Sequence, residues 1–358
     1  MRGFKRKIRE FVSKLPDRML RAGLIVWGIL ALFAVFDIET LKKFELWGIS
    51  DIANTIDNLF PSLCSIFKNK AIKIIIWALW GLVIFLCVSK FIMRPKAVVV
   101  KHSTFSNAQS TYDGSNLSGY SVKEIDINLV DQMHHLDIVD AISNQDSVIQ
   151  EILKECDEFT EICYYGIAHI PLVFRAGFQM GDEGNIHLYH KYRNEQSQFK
   201  EISSDADSFS ITLSLSEVDT HVPTSREMLV VVATSLPIVN EDLISFQKND
   251  LSYILYFAMK DESMYGFDSV ESYGIMNRLR TGILKKTREI IVRKNIERIH
   301  LVLATSSDFT FFLAQGFSGH HDPEIVVYQY ERSSEEKYPW GISNKAVPEN
   351  AVFFRPTS

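Results

Sequence analysis

Two long apolar stretches mark the first hundred residues, and short strand-like and helix-like segments alternate through the rest. From Ala22 to Phe36 fifteen residues (AGLIVWGILALFAVF) carry no charge, and from Ile74 to Ser89 sixteen (IIIWALWGLVIFLCVS) carry none. Each is shorter than the ~20 residues that cross a bilayer. The first extends back to Pro16-Asp17, a helix-start pair, with Arg18 and Arg21 able to snorkel toward headgroups. The second runs past Lys90 to Met93 in the same way. No small-x-small cleavage pattern follows Phe36, which argues against a signal peptide. The pattern predicts a two-helix transmembrane hairpin, with spans at about 18–36 and 74–93 inside a membrane module of residues 1–96.

Residues 102–121 (HSTFSNAQSTYDGSNLSGYS) are polar, rich in Ser, Asn and Gly, and without periodicity, which places a linker over 97–121. A soluble domain then covers 122–355. Val122–Val130 reads as a strand and Asp131–Glu155 as one helix with Met133, Leu136, Val139, Ala141 and Ile142 inward. Ile162–Ile170 and Asn185–Tyr192 read as strands around a short helical piece, and Ile211–Leu215 alternates like a half-exposed strand. Leu229–Thr234 is a β-branched run of the kind found in buried parallel strands. Strands at Tyr253–Phe257, Ile299–Ala304 and Ile325–Tyr330 follow, with helices at Tyr273–Asn295 and Asp308–Phe317. The long helix should bury Ile275, Leu279, Ile283 and Ile290. This alternation predicts an α/β, Rossmann-like, mostly parallel sheet covered by helices.

Charge sharpens the division. Residues 1–96 carry 16 Lys and Arg against 7 Asp and Glu, whereas 97–358 carry 22 against 37. So acidic a domain is unsuited to duplex nucleic acid, which needs a broad basic face. The basic excess clusters before the first span and after the second, so the positive-inside rule puts both termini in the cytoplasm and residues 37–73 outside. Amphipathic stretches at Phe4–Leu15 and Ile49–Leu59 suit anchoring at a membrane surface. The four cysteines (Cys64, Cys87, Cys156, Cys163) show neither disulfide-framework nor metal spacing.

The soluble domain carries an internal repeat. Ala176-Gly177-Phe178 precedes a strand centred on Tyr189, and Gln315-Gly316-Phe317 precedes one centred on Tyr328, each with twelve residues from Gly to Tyr. Each Gly is expected to supply a left-handed helix stop. In open α/β sheets a ligand sits beyond the strands' carboxyl ends, where helix N-termini offer N–H groups. Thr234-Ser235 and Thr305-Ser306-Ser307-Asp308 occupy such turns, although helix capping alone accounts for Ser306 or Ser307 equally well. Arg175, Arg193 and Arg226 are candidate phosphate partners, with carboxylate pairing as the plainer role for each. His169, Tyr192 and Phe309 are candidate stacking faces, with core packing as the plainer role. The basic run from Arg278 to Arg298 suits a solvated face or a protein contact. His320-His321-Asp322 suits solvated loop residues better than a metal site.

Tyr-Gly-Ile-Ala-His-Ile-Pro at 165–171 leads through Phe174 and Gly177 to His187-Leu188-Tyr189-His190. Later come Ile299-His300-Leu301-Val302-Leu303-Ala304, a Ser-containing turn, Gly316 and Val326-Val327-Tyr328. This order resembles the SAVED domain of bacterial anti-phage signalling systems, and the whole layout resembles the membrane-anchored SAVED effectors of CBASS. The resemblance implies two fused CARF-like Rossmann units that bind a cyclic oligonucleotide, a cyclic trinucleotide by family habit, supplied by a partner nucleotidyltransferase. For such a ligand the turns and charges above make Arg175, Arg193, Arg226, Thr234, Ser235, Thr305, Ser306, Ser307, Asp308 and Phe309 the candidate ligand-side residues. The resemblance further implies homo-oligomerisation on ligand binding and disruption of the inner membrane, ending in death or arrest of the infected cell.

No GxSxG, HExxH or nuclease-type acid pair is present, so neither catalytic residues nor a metal or other cofactor is expected, and the chain reads as a non-enzyme. The rival reading is a membrane-tethered nucleotide sensor that signals through a protein partner, the hairpin being only an anchor.

Overall fold

The computed structural model describes residues 70–92, 95–106, 111–157, 160–181, 185–192, 198–203, 211–220, 222, 225–247 and 251–354. The expected first span at 18–36, the amphipathic stretches, residues 37–69 of the expected outer loop and Arg193 lie outside the described residues, while residues 70–73 of that loop are helical. The chain divides into two compact units, Met1–Arg94 and Pro95–Ser358.

In the first unit, helix α1 (Lys70–Ile92) runs 23 residues over the second apolar stretch. Ile74, Ile75, Trp77, Leu79, Leu82 and Phe85 are exposed on it. Counting only residues whose side chains are described, no helix is long and apolar enough to cross a membrane.

The second unit begins with a correction. The segment expected to be a linker contains strands β1 (Lys96–Ser103) and β2 (Thr111–Tyr112). The run Ala97-Val98-Val99-Val100 is buried, so β1 is an interior strand that follows the first unit directly in sequence. After it come β3 (Ser121–Asn128), α2 (Val130–His134) and α3 (Ile138–Glu155). The helix expected unbroken from Asp131 breaks at Leu136, which takes φ 54° and is 61% exposed, while Met133, Ala141 and Ile142 are buried as expected. Asp137 caps α3 by accepting from the N–H of Asp140. The half continues with β4 (Glu161–Ile167), α4 (Ile170–Met180), β5 (Asn185–Lys191) and β6 (Gln198–Glu201), giving the sheet order β2-β6-β5-β4-β1-β3.

The remainder repeats that plan. It comprises β7 (Leu213–Asp219), β8 (Glu227–Ala233), α5 (Ile244–Gln247), β9 (Tyr253–Met259), α6 (Tyr273–Lys294), β10 (Arg298–Ala304) and α7 (Ser307–Gln315). It closes with β11 (Glu324–Gln329), β12 (Trp340–Ser343), α8 (Pro348–Ala351) and β13 (Val352–Phe354), in the order β13-β12-β11-β10-β8-β9-β7. Ile275, Leu279, Ile283 and Ile290 of α6 are buried, as the periodicity requires.

Each sheet thus holds a four-stranded parallel block, β3-β1-β4-β5 and β9-β8-β10-β11, followed by antiparallel pairing to β6 or β12. Under this correspondence α4 matches α7, and Tyr189 and Tyr328 fall on matching strands. The two glycines of the repeat serve another purpose than helix stops. Gly177 lies inside α4, where an added Cβ would come within 2.4 Å of the Phe311 carbonyl oxygen, so it lets α4 and α7 approach. The residue that closes α4 at positive φ is Gly181 (52°), and Gly316 closes α7 in the right-handed region. One apolar core runs through both halves, with Tyr164 stacked on Phe311 at 4.0 Å and Phe174 beside Phe317 at 5.8 Å.

Candidate functional site

The carboxyl ends of β4, β5, β10 and β11 and the turn after β8 converge on a cleft of about 760 Å3. Gly166, Ile167, His190 and Lys191 enter from the first half, and Ser235, Leu303–Asp308, Gln329 and Tyr330 from the second. Leu236, Pro237, Ile238, Tyr338 and Asp242 complete one wall, with Tyr192, Phe199 and Phe267 elsewhere. This is the position that open parallel sheets favour for ligands.

The two matching helices meet the cleft differently. At α4 the amino end is already used. Ile170 N–H donates to Gln329 Oε1 at 3.1 Å, Pro171 has no N–H, and Leu172 N–H donates to the His169 carbonyl at 3.0 Å. At α7 it is open. The first N–H groups, of Ser307, Asp308 and Phe309, have no intrahelical acceptor. The N-cap Ser306 accepts none of them, and its buried hydroxyl makes no hydrogen bond. Thr234 Oγ1, fully buried behind the facing turn, is likewise unpartnered. The cleft therefore has one place where backbone donors and a hydroxyl are prepared for an anion.

One cation and two carboxylates meet around that place. His190, at the end of β5, lies between two carboxylates: Nδ1 is 3.1 Å from Asp308 Oδ2 and Nε2 is 3.0 Å from Asp268 Oδ1. Burial alone would lower its pKa, but hydrogen bonds and charge from Asp308 and then Asp268 outweigh burial and push it up to about 9. His190 is therefore an imidazolium at neutral pH. Among the described residues no arginine lines the cleft, and Lys191 is its lysine.

Of the residues expected on the ligand side, Ser235, Thr305, Ser306, Ser307 and Asp308 come together in the cleft. Thr305 Oγ1 is held by Thr310 Oγ1 at 2.6 Å. Thr234 lies just behind the lining. Phe309 is fully buried in the core and offers no stacking face. Arg175 is outside the cleft and fully engaged. Its guanidinium makes a two-point contact with Asp146 (2.9 and 2.6 Å) and donates to the carbonyls of Ser343 (2.6 Å) and Ala346 (3.1 Å). Arg226 precedes β8 at the opposite end of the strand and pairs with Glu297. Both arginines follow the plainer pairing role, since a cation in an acidic domain is met first by carboxylates.

The other expectations divide similarly. Tyr192 lines the cleft. His169 is stacked on Phe105 at 4.5 Å and bonded to Thr104 Oγ1, and burial lowers its pKa to about 4. Arg288, Lys286, Lys294 and Arg298 of the basic run are paired with Asp322, Glu217, Asp219 and Glu324. Asp322 of the His-His-Asp triplet is thereby occupied, and among the described residues no group of three ligating side chains could hold a metal. Sequence reasoning missed His190, Lys191, Gln329 and Tyr330. Their signal was position: each follows or ends a strand already recognised as parallel.

Residues 145–343 match the family model of the SMODS-associated and fused to various effectors sensor domain, SAVED. The match covers more than half of the chain. The chain belongs to the SAVED family. The match starts within α3 and ends with β12, so β1 and β3 precede it while pairing in the same sheet as β4. No curated protein sequence matches. Among solved structures this SAVED chain is similar to an Acinetobacter baumannii Cap4 SAVED/CARF-domain receptor with the cyclic trinucleotide 2′3′3′-cAAA, at 11% identity and TM-score 0.49, covering 85% of this chain and 67% of that one. It is also similar to the same receptor with 3′3′3′-cAAA, at 10% identity and TM-score 0.46, covering 86% and 64%. A Moraxella osloensis Cap4 receptor matches at 9% identity and TM-score 0.41, covering 93% and 83%. The chain thus spans about two thirds of the length of the A. baumannii receptors.

Proposed function

We propose that this SAVED protein is the membrane-anchored receptor of an anti-phage signalling system, and that a cyclic oligonucleotide, a trinucleotide in the first instance, binds in the cleft between its halves. The observation that carries the reading is the open amino end of α7. It combines unpaired backbone N–H groups with the unpartnered Ser306 hydroxyl, in a domain family of sensors. Such a site takes one phosphodiester, while Tyr330, Tyr192 and the apolar wall of Leu236 and Pro237 offer surfaces for bases. Binding of 2′3′3′-cAAA to the full chain tests this, with S306A as the variant that removes the anchoring hydroxyl.

The output we assign to the first unit. A 23-residue helix is about 34 Å long, enough for the ~30 Å hydrocarbon layer. Its exposed Ile, Trp, Leu and Phe side chains suit lipid better than water. In this reading both termini are cytoplasmic, ligand binding gathers copies of the chain, and the clustered hairpins breach the inner membrane. A nucleotidyltransferase supplies the ligand, and the receptor passes the signal on without turning the ligand over. Ligand can drive assembly only if the assembled state binds it better.

Replacing residues 1–94 by an unrelated two-helix anchor separates this output from signalling through a protein partner. The account predicts that cells carrying the swapped protein survive the signal. Retained killing would assign the output to a partner.

A further inference from the structure

Among the described residues, His190 is the side chain of the cleft that is hydrogen-bonded to two carboxylates of the other half. It is the penultimate residue of β5 in the first half and is only 3% exposed. Asp308, its partner at 3.1 Å, is the second residue of α7 and 5% exposed. Asp268, at 3.0 Å, lies in the connection between β9 and α6.

Asp308 poses an electrostatic problem for any anion at this helix end. Asp308 sits in the first turn, where a carboxylate interacts favourably with the helix dipole. Left alone, it would repel a phosphodiester approaching the N–H groups of Ser307 and Asp308. In a partly desolvated cleft, like charges a few ångströms apart cost far more than in water.

We propose that His190 is a positioning residue for the anionic ligand: as an imidazolium held between Asp268 and Asp308, it neutralises the carboxylate at the amino end of α7 and fixes that helix against β5. The proposal rests on the receptor reading above. It assigns His190 a role that capping and core packing do not require, because a neutral glutamine would fill the space and bond one carboxylate.

The other titratable groups around this point do not supply the charge. From α7 comes only Asp308, and from the β9–α6 connection only Asp268. Tyr192 sits edge-on to the imidazole at 4.8 Å, while burial, and to a lesser degree the charge of Asp308, raises the phenols of Tyr164 of β4 and Tyr273 of α6. Lys191 is adjacent in sequence and stands over the Phe199 ring at 5.9 Å.

The test measures the dissociation constant of 2′3′3′-cAAA on the solubilised full chain from pH 6.5 to 10. It compares the parent, H190Q, D268N and the double variant H190Q/D308N. The parent should bind evenly up to pH 8 and lose affinity as pH rises through about 9, where the imidazolium is lost. H190Q should be weaker by about tenfold or more at pH 7 and show no alkaline loss. Adding D308N should recover most of that affinity, since the carboxylate at the amino end of α7 is then gone. D268N, which keeps the His190–Asp308 pair, should move the loss to lower pH and covers the case of an H190Q chain that fails to fold.

An H190Q chain that binds like the parent, an alkaline loss that persists in H190Q, or a double variant no better than H190Q would each overturn the proposal alone. A parent chain that does not bind the probe at pH 7 fails at an earlier step. It removes the receptor reading and the proposal together.

Discussion

Arg175 shows how residue type and residue role part company. As an arginine before a predicted turn in an acidic domain it qualified as a phosphate partner, yet it is spent on Asp146 and two carbonyls of the second half. Replacing it by Met keeps the length and abandons Asp146 and both carbonyl acceptors. Removing one partner of a buried pair typically costs about 3–5 kcal/mol. We therefore expect R175M to lose about that much stability in urea unfolding, with cyclic-nucleotide affinity unchanged in the folded protein. A selective loss of affinity at unchanged stability would return Arg175 to the ligand side. The hydroxyl residues of the Thr305–Asp308 turn were legible in the sequence because a turn between a parallel strand and a helix has a fixed place in such a sheet. His190 was not. Its significance arises only when α7, more than a hundred residues later, delivers Asp308 to its ring.

At the scale of elements, the pairing of α4 with α7 holds the halves together, and Gly177 permits it. An alanine there would push its Cβ to 2.4 Å from the Phe311 carbonyl oxygen, a backbone atom that cannot turn away. Overpacking of this sort costs about 1–3 kcal/mol. G177A should lower the urea midpoint accordingly and, by prising α7 from α4, weaken ligand binding as well. An unaffected midpoint would show that the interface gives way easily. Periodicity located most of the parallel strands, because their apolar runs are continuous and buried on both faces. It missed β1, because the run at Ala97–Val100 follows an apolar span at once and reads as its tail. It also ran one unbroken helix through Leu136, since nothing at that leucine signals a positive φ. The glycines were recognised as paired, but spacing alone does not distinguish a helix stop from a close approach.

For the whole molecule, the structure divides after residue 94, close to where the charge along the chain changes sign. A fragment of the second unit must therefore begin no later than Lys96, because cutting at 97 or later removes residues of an interior strand. In the function proposed above, the cleft between the halves binds a cyclic oligonucleotide through the open end of α7. The most direct measurement is thermal unfolding of the full chain against a panel of cyclic di- and trinucleotides, with S306A beside the parent. A ligand at a hundred times its dissociation constant adds about 2.7 kcal/mol, a rise of roughly 5–10 °C for a unit of this size. The account predicts such a rise with one cyclic trinucleotide and a smaller one in S306A at the same concentration. A flat panel on a folded chain would contradict it.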